Sequence, residues 1–139
     1  MEKKMKKKFT AVMAIITMLT ASPIMNHVTA EASTFSIDKS YEVDLANSKH
    51  KSTNSSTGKI NISNGVIPGS LHVDAYLVYK NSNGECIRSM DTMYFTSNQS
   101  QTETYHSGRG IVGKAYYLMA KVSSSSRFNE TDLNYRIEP

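Results

Sequence analysis

Apolar and polar residues alternate along several stretches of the chain, and this period of two is the pattern of half-buried β-strands. The clearest stretch runs from Leu71 to Tyr79, where every second side chain is apolar or aromatic. Shorter alternations occur over Tyr41–Leu45, Tyr116–Val122 and Leu133–Ile137. No long segment keeps the 3.6-residue period of an amphipathic helix. The pattern predicts an all-β fold, a single antiparallel β-sandwich of about seven short strands.

Turn-forming residues separate the predicted strands. Ala46–Gly58 is rich in Asn, Ser, Lys and Thr and predicts a long polar loop, whereas Asn64-Gly65 and Asn81–Gly84 predict tight turns. The alternation blurs between Cys86 and Phe95, and a β-bulge within that strand would explain it. Thr102–His106 is a weaker strand candidate.

Residues 1–30 have the three parts of a secretory signal peptide: a Lys-rich start, an apolar stretch from Phe9 to Leu19, and small residues before a cut. The small residues favour cleavage before Glu31, after Val28-Thr29-Ala30, and cleavage before Ser33 is the alternative. The uninterrupted apolar stretch is about half of the ~20 residues that a membrane-spanning helix needs. We therefore expect a cleaved leader over 1–30 and one secreted domain over 31–139, in the style of a Gram-positive bacterial protein.

Removal of the leader changes the electrostatic picture. The full chain carries a net charge of +4, but five lysines and one glutamate lie in the leader, so the exported part has equal numbers of basic and acidic residues. A nucleic-acid partner is not expected for a near-neutral domain. A stable membrane span is not expected either, because the apolar stretch of the leader is too short. The one local basic cluster, Lys49 and Lys51 around His50, is interpreted as a solvated loop.

Cys86 is the only cysteine, so no intramolecular disulfide can form. The simplest interpretation is a small side chain half-buried in a strand. Two alternatives stay open at this stage. One is a disulfide-linked dimer through Cys86, and the other is a catalytic thiolate activated by His72 or His106.

No pattern of catalytic or cofactor-binding residues is specific. Gly108–Gly113 matches G-x-G-x-x-G, but the residues that follow alternate as a strand, so we interpret it as a glycine-rich turn rather than a dinucleotide site. The oxygen-rich stretch Asn129–Asn134 lacks the spacing of an EF-hand loop, and the histidines lack zinc-ligand spacing. No catalytic residue, metal site or cofactor is predicted.

One polar strand face is the candidate binding surface. His72, Asp74 and Tyr76 alternate with the apolar side chains of one predicted strand, and Tyr117 and Lys121 do so in another. If the two strands share a sheet, these residues form one face with two tyrosines among polar groups, suited to a sugar ring or a protein partner. Alternatively, both tyrosine rings cover a second sheet and belong to the core.

A short sequence pattern resembles a known group of proteins. Gly113, Tyr116, Tyr117, Leu118 and Ala120 form a Gly-x-x-Tyr-Tyr-Leu-x-Ala stretch in an Asn- and Ser-rich domain behind a Lys-rich leader. In this the chain resembles the small secreted β proteins of Gram-positive bacteria, among them lactococcin-972-like bacteriocins. The resemblance implies a secreted β domain and, for the bacteriocins, an antibacterial activity.

Three functions follow as expectations. The first is a secreted, non-enzymatic protein that binds an extracellular protein or a cell-wall glycan, without a cofactor. The second is a bacteriocin-like antibacterial protein. The third is a small secreted hydrolase, which would need a deep pocket with His72 or His106 beside a carboxylate.

Overall fold

The computed structural model describes residues 32–65, 72–123 and 131–139. The predicted signal peptide lies outside these ranges, and so do residues of both candidate cleavage motifs. Leu71, the first residue of the clearest predicted strand, also lies outside them. Part of the oxygen-rich stretch, Asn129 and Glu130, also lies outside them.

The described residues form two antiparallel sheets that pack face to face, which confirms the predicted β-sandwich. They contain nine strands rather than about seven. The four-stranded sheet has the order β1 (Ser33–Ile37), β9 (Thr131–Glu138), β3 (Thr57–Gly65), β7 (Ser100–Thr104). The five-stranded sheet has the order β2 (Glu42–His50), β8 (Ala115–Val122), β4 (Val73–Lys80), and then β5 (Cys86–Arg88) and β6 (Met93–Phe95), which both pair with β4.

The alternating apolar side chains of β4, β8 and β9 lie between the two sheets and form the core, as predicted for these strands. In β4, Val73, Ala75 and Leu77 are fully buried and pack against the four-stranded sheet. Burial in β8 alternates at every residue. The core residues of β8 and β9 are Tyr116, Leu118, Ala120, Val122, Leu133, Tyr135 and Ile137.

The beginning of the domain differs from the prediction. Two residues of the predicted apolar set are exposed, Tyr41 by 39% and Leu45 by 52%, and the third, Val43, is only partly buried against the core. Asp44, predicted on the polar face, is buried. The predicted loop over 46–58 is also too long, since β2 continues to His50 and β3 begins at Thr57. The register of β2 against β8 shifts between Val43 and Ser48, and this irregularity breaks the period of two.

Asp44 is accommodated in the interior because its carboxylate is fully used. Asp44 Oδ2 accepts hydrogen bonds from Tyr135 Oη at 2.6 Å and from Asn47 Nδ2 at 2.9 Å, and Oδ1 accepts one from the backbone N–H of Ala46 at 3.0 Å. Burial, followed by the bond to Asp44, raises the pKa of Tyr135, so the phenol stays protonated and keeps donating.

The stretch from Cys86 to Phe95 forms two strands instead of one bulged strand. Between β5 and β6, Met90 is fully buried and bridges to Tyr105. Ser89 is also buried, and both its backbone N–H and its hydroxyl donate to the carbonyl of Leu77. Cys86 begins β5 and is an exposed free thiol, so the expectation of a half-buried cysteine is wrong.

Two predicted turns are confirmed. In the hairpin between β4 and β5, Asn81 Oδ1 accepts from the N–H groups of Asn83 and Glu85, and Gly84 has φ = 80°. Gly108 and Gly113 also have positive φ, and the segment leads into strand β8. The G-x-G-x-x-G stretch is therefore a turn between strands. Within 32–65, 72–123 and 131–139, no helix is long and apolar enough to cross a membrane.

We predict that Asp44→Ala lowers the free energy of unfolding by about 1–3 kcal/mol, because it leaves the buried Tyr135 hydroxyl without its acceptor. Urea denaturation measures this value. Asp38→Ala is the control, since Asp38 lies outside the core and its carboxylate accepts from the nearby backbone N–H of Ser40. Equal stability of wild type and Asp44→Ala would contradict the structural role of this carboxylate.

Candidate binding face

The structure brings all five residues of the candidate face onto one surface. Strands β4 and β8 are neighbours, and Asp74 pairs directly with Lys121 while Val78 pairs with Tyr117. Tyr76 and Asp74 share the face that points away from the core, because Val73, Ala75 and Leu77 occupy the other. His72 continues the same alternation one residue before β4.

Asp74 organises one end of this face. Its carboxylate is buried, with Lys121 Nζ at 3.8 Å from Oδ2 and His72 Nε2 at 3.0 Å from Oδ1. The imidazole is not aligned for a hydrogen bond to Oδ1, so its attraction to the carboxylate depends on its charge. The backbone N–H of His72 donates to Ser123 Oγ at 3.0 Å, which fixes the backbone of His72 beside the end of β8.

Further aromatic and basic residues extend the face. Tyr41 contacts Tyr76 with ring centroids 5.2 Å apart, and the Lys121 amine lies 4.6 Å from the Tyr41 ring centroid. On Tyr76 itself, the Arg88 guanidinium lies 4.3 Å from the ring centroid. These cation–π contacts hold flexible basic side chains against rigid rings.

The opposite ends of the face carry one more aromatic and one more cation. Tyr94 pairs with Asp74 across β6 and β4, and its ring contacts His72 edge-on at 5.8 Å. Lys80 Nζ lies 5.7 Å from the Tyr117 ring centroid. We call the whole set the tyrosine face: Tyr41, His72, Asp74, Tyr76, Lys80, Arg88, Tyr94, Tyr117 and Lys121.

Accessibility within the tyrosine face is uneven. Tyr94 is 59% exposed and Tyr41 is 39% exposed, whereas Tyr76 is only 8% exposed. Tyr76 is covered by its neighbours on the outer face rather than by the second sheet, and its hydroxyl donates to Met119 Sδ at 2.9 Å. Burial raises the pKa of Tyr76, and the charge of Arg88 opposes that shift. Tyr117 is half-buried.

Sequence reasoning missed the two most exposed rings. The alternation predicts that Tyr41 lies on the apolar face of its strand, because the register shift in β2 is not visible in the sequence pattern. Tyr94 and Arg88 lie in the blurred stretch, where the break between β5 and β6 hides the period. The only available signal was composition, since both stretches combine tyrosine with nearby cations.

Both histidines considered for hydrolysis lie beside carboxylates. His72 faces Asp74, and His106 Nε2 lies 3.1 Å from Asp91 Oδ1. Neither histidine is among the residues that line the two clefts beside Lys49 and Arg136. Within the described residues, no group of three or more His, Cys, Asp or Glu side chains could hold a metal ion.

Lys51 is placed differently from the prediction of a solvated loop. Its side chain is 1% exposed, and its amine lies 4.9 Å from the Tyr105 ring centroid without a hydrogen-bond partner. The backbone of Lys51 pairs with Gly113 and Lys114, which draws the side chain inward. Burial lowers the pKa of this amine from its ordinary value of 10.5. The cluster around His50 is thus one buried lysine beside two exposed residues, Lys49 and His50.

Comparison of the chain with models of protein families, with characterised proteins and with solved structures finds no match. The functional argument therefore depends on the chemistry of the site itself.

We predict that Lys51→Met raises the free energy of unfolding at pH 7 by about 1–3 kcal/mol, because it removes a buried amine that has no partner. Between the lowered pKa of folded Lys51 and 10.5, the unfolded wild-type chain binds more protons than the folded one. Wild-type stability relative to Lys51→Met therefore increases as the pH rises through that window.

Urea denaturation of both proteins from pH 7 to pH 10.5 measures this difference, and ionisation of tyrosines affects both alike. Lys114→Met is the control, since Lys114 is exposed on the adjoining turn. A Lys51→Met protein less stable than wild type at pH 7 would show that the buried amine stabilises the fold.

Proposed function

We propose that the protein is a secreted, non-enzymatic binding protein whose tyrosine face binds an acidic surface of another extracellular protein. The observation that carries this proposal is the continuous series of aromatic and basic contacts across β4 and β8, which ends in exposed Tyr41 and Tyr94. Secretion itself enters the proposal from the signal-peptide pattern of residues 1–30.

The shape of the face favours a protein over a small molecule. Small-molecule sites are concave, whereas no residue of the tyrosine face lines either of the two clefts beside Lys49 and Arg136. Tyrosine and arginine are also the residue types that contribute most to protein–protein binding energy. A sheet face of this composition is therefore better suited to a broad protein contact than to one sugar ring.

The charge of the face favours an acidic partner. The tyrosine face has three basic side chains, Lys80, Arg88 and Lys121, and a single carboxylate, that of Asp74, which is buried beside Lys121. His72 adds a further positive charge when it is protonated. Complementary charge of this kind speeds association and selects the partner.

The side chains are also held in place before binding. Arg88 stacks on Tyr76, donates through Nε to the Met90 carbonyl and donates through Nη2 to Thr92 Oγ1. Ordering a long side chain at an interface costs about 0.5–1.5 kcal/mol, and a preorganised arginine avoids much of that cost. The face can therefore bind a partner without first becoming ordered.

We predict that Tyr41→Ala and Tyr94→Ala each weaken binding to the partner at least about tenfold, because each removes an exposed aromatic ring that anchors the interface. Lys80→Glu should weaken binding as well, by charge repulsion. The controls are Leu45→Ala, an exposed apolar residue outside the tyrosine face, and Lys114→Glu, an exposed lysine outside it.

A photo-crosslinking residue at position 94 identifies the partner, and the same residue at position 112 controls for random capture, since Val112 is exposed on the glycine-rich turn. Affinity is then measured with the purified partner at two salt concentrations. Equal crosslinking at positions 94 and 112, or affinity indifferent to Tyr41 and Tyr94, would reject the tyrosine face as the binding site.

The antibacterial alternative rests on the resemblance alone. Of the residues that carry it, Tyr116, Leu118 and Ala120 are fully buried and Gly113 is in a turn with positive φ, so their roles in the fold account for the pattern. Binding without killing predicts that Gram-positive cells exposed to the exported protein keep their viability. Loss of viability at protein concentrations near the affinity for the partner would instead favour the bacteriocin-like function.

A further inference from the structure

Two clefts adjoin each other at the end of the sandwich where β2 and the loop after it lie beside β3 and β9. Their volumes are about 430 Å³ and 280 Å³. Lys49 of β2 and Arg136 of β9 line both clefts, so these two cations stand where one cleft meets the other. We call the pair of clefts the basic groove. It shares no residue with the tyrosine face.

The basic groove has an excess of positive charge. The larger cleft adds Lys59 to the two shared cations, and Glu138 is the carboxylate side chain among its lining residues. Glu138 lies 3.5 Å from both Lys59 Nζ and Arg136 Nη2. All three side chains of this cluster are between 38% and 46% exposed, so a ligand can reach the cations and displace or share the carboxylate.

Hydroxyl and amide groups surround the cations on both sides. In the larger cleft the hydroxyl-bearing residues are Ser52, Thr53, Ser55, Thr57 and Thr102. In the smaller cleft, Asn47, Ser48 and Ser33 have the corresponding position. The protein thus presents two cations with neutral hydrogen-bonding groups on both sides of them. A ligand that matches this arrangement has an anionic group flanked by hydroxyl groups.

We propose that the basic groove binds an anionic polyhydroxyl chain, with a phosphate or carboxylate group at Lys49 and Arg136 and a polyol or sugar unit in each cleft. Arg136 supplies the planar donor group that binds such oxygens in pairs, and Lys49 supplies a point charge. The site is independent of the proposed protein contact, because the groove lies outside the tyrosine face.

Both a polymer and a small free anion can supply the anionic group that binds at Lys49 and Arg136. The two adjoining clefts favour the polymer. A chain that occupies both clefts gains contacts that a single unit cannot make. We therefore expect an oligomer of several glycerol phosphate units to bind the full-length protein at least about tenfold more tightly than glycerol 3-phosphate or inorganic phosphate. A neutral dextran of equal length should bind no more tightly than glycerol 3-phosphate.

Titration by isothermal calorimetry with these four probes tests the proposal. Lys49→Ala and Arg136→Ala should each weaken oligomer binding at least about tenfold, and Lys59→Ala should do so less, because Lys59 lines one cleft only. Glu138→Gln should tighten binding, because it removes the competing carboxylate. Lys114→Ala, at an exposed lysine outside both the basic groove and the tyrosine face, is the matched control and should leave oligomer binding unchanged.

Thermal unfolding of each variant checks that the fold is intact. Equal binding of dextran and the anionic oligomer, or binding unaffected by Lys49→Ala and Arg136→Ala, would overturn the proposal. Equal affinity for the oligomer and inorganic phosphate would overturn the proposal that the ligand is a polymer. Lys49 and Arg136 would then bind only a small free anion. None of these outcomes alters the test of the tyrosine face, whose variants and partner are different.

Discussion

The pairing register between β4 and β8 is the constraint on which the rest of this structure depends. Seven consecutive residue pairs, from Val73 with Val122 to Tyr79 with Tyr116, fix which side chains face inward. The same register that buries Leu77 beside Leu118 places Asp74 beside Lys121 on the outside. A slip of one residue would exchange the two faces, exposing the core and burying the charges. The pairing register of β4 and β8 therefore determines both the core and the candidate binding face.

This dependence explains why part of the fold and part of the face were predictable. In β4, β8 and β9 the inward positions are occupied almost entirely by apolar or aromatic residues, whereas the outward positions include polar and charged ones. The alternation therefore identifies the core side chains and leaves His72, Asp74 and Lys121 on the other face. In β2 and between Cys86 and Phe95 the signal fails, because an irregular register and a break between strands change the alternation. Tyr41 and Tyr94 reach the face only through these irregular segments, and their contacts involve long-range pairing that local alternation does not encode.

The burial of Asp44 and Lys51 was unpredictable for a related reason. A sequence pattern indicates polarity, whereas burial of a polar group depends on partners far along the chain. Asp44 enters the interior because Tyr135, 91 residues later, donates to it. Lys51 enters because its backbone pairs with the turn at Gly113 and Lys114. The first residue satisfies its hydrogen-bonding groups, and the second leaves its amine without a partner.

The irregular segments also have a consequence for association between molecules. The five-stranded sheet has β2 at one edge, with its register shift, and the short strands β5 and β6 at the other, separated by residues 89–92. A long, regular edge strand exposes a row of unpaired backbone groups that can template the addition of another chain. Here neither edge offers such a row. The irregularities that obscured the strand pattern in the sequence thus disfavour edge-to-edge aggregation through the five-stranded sheet.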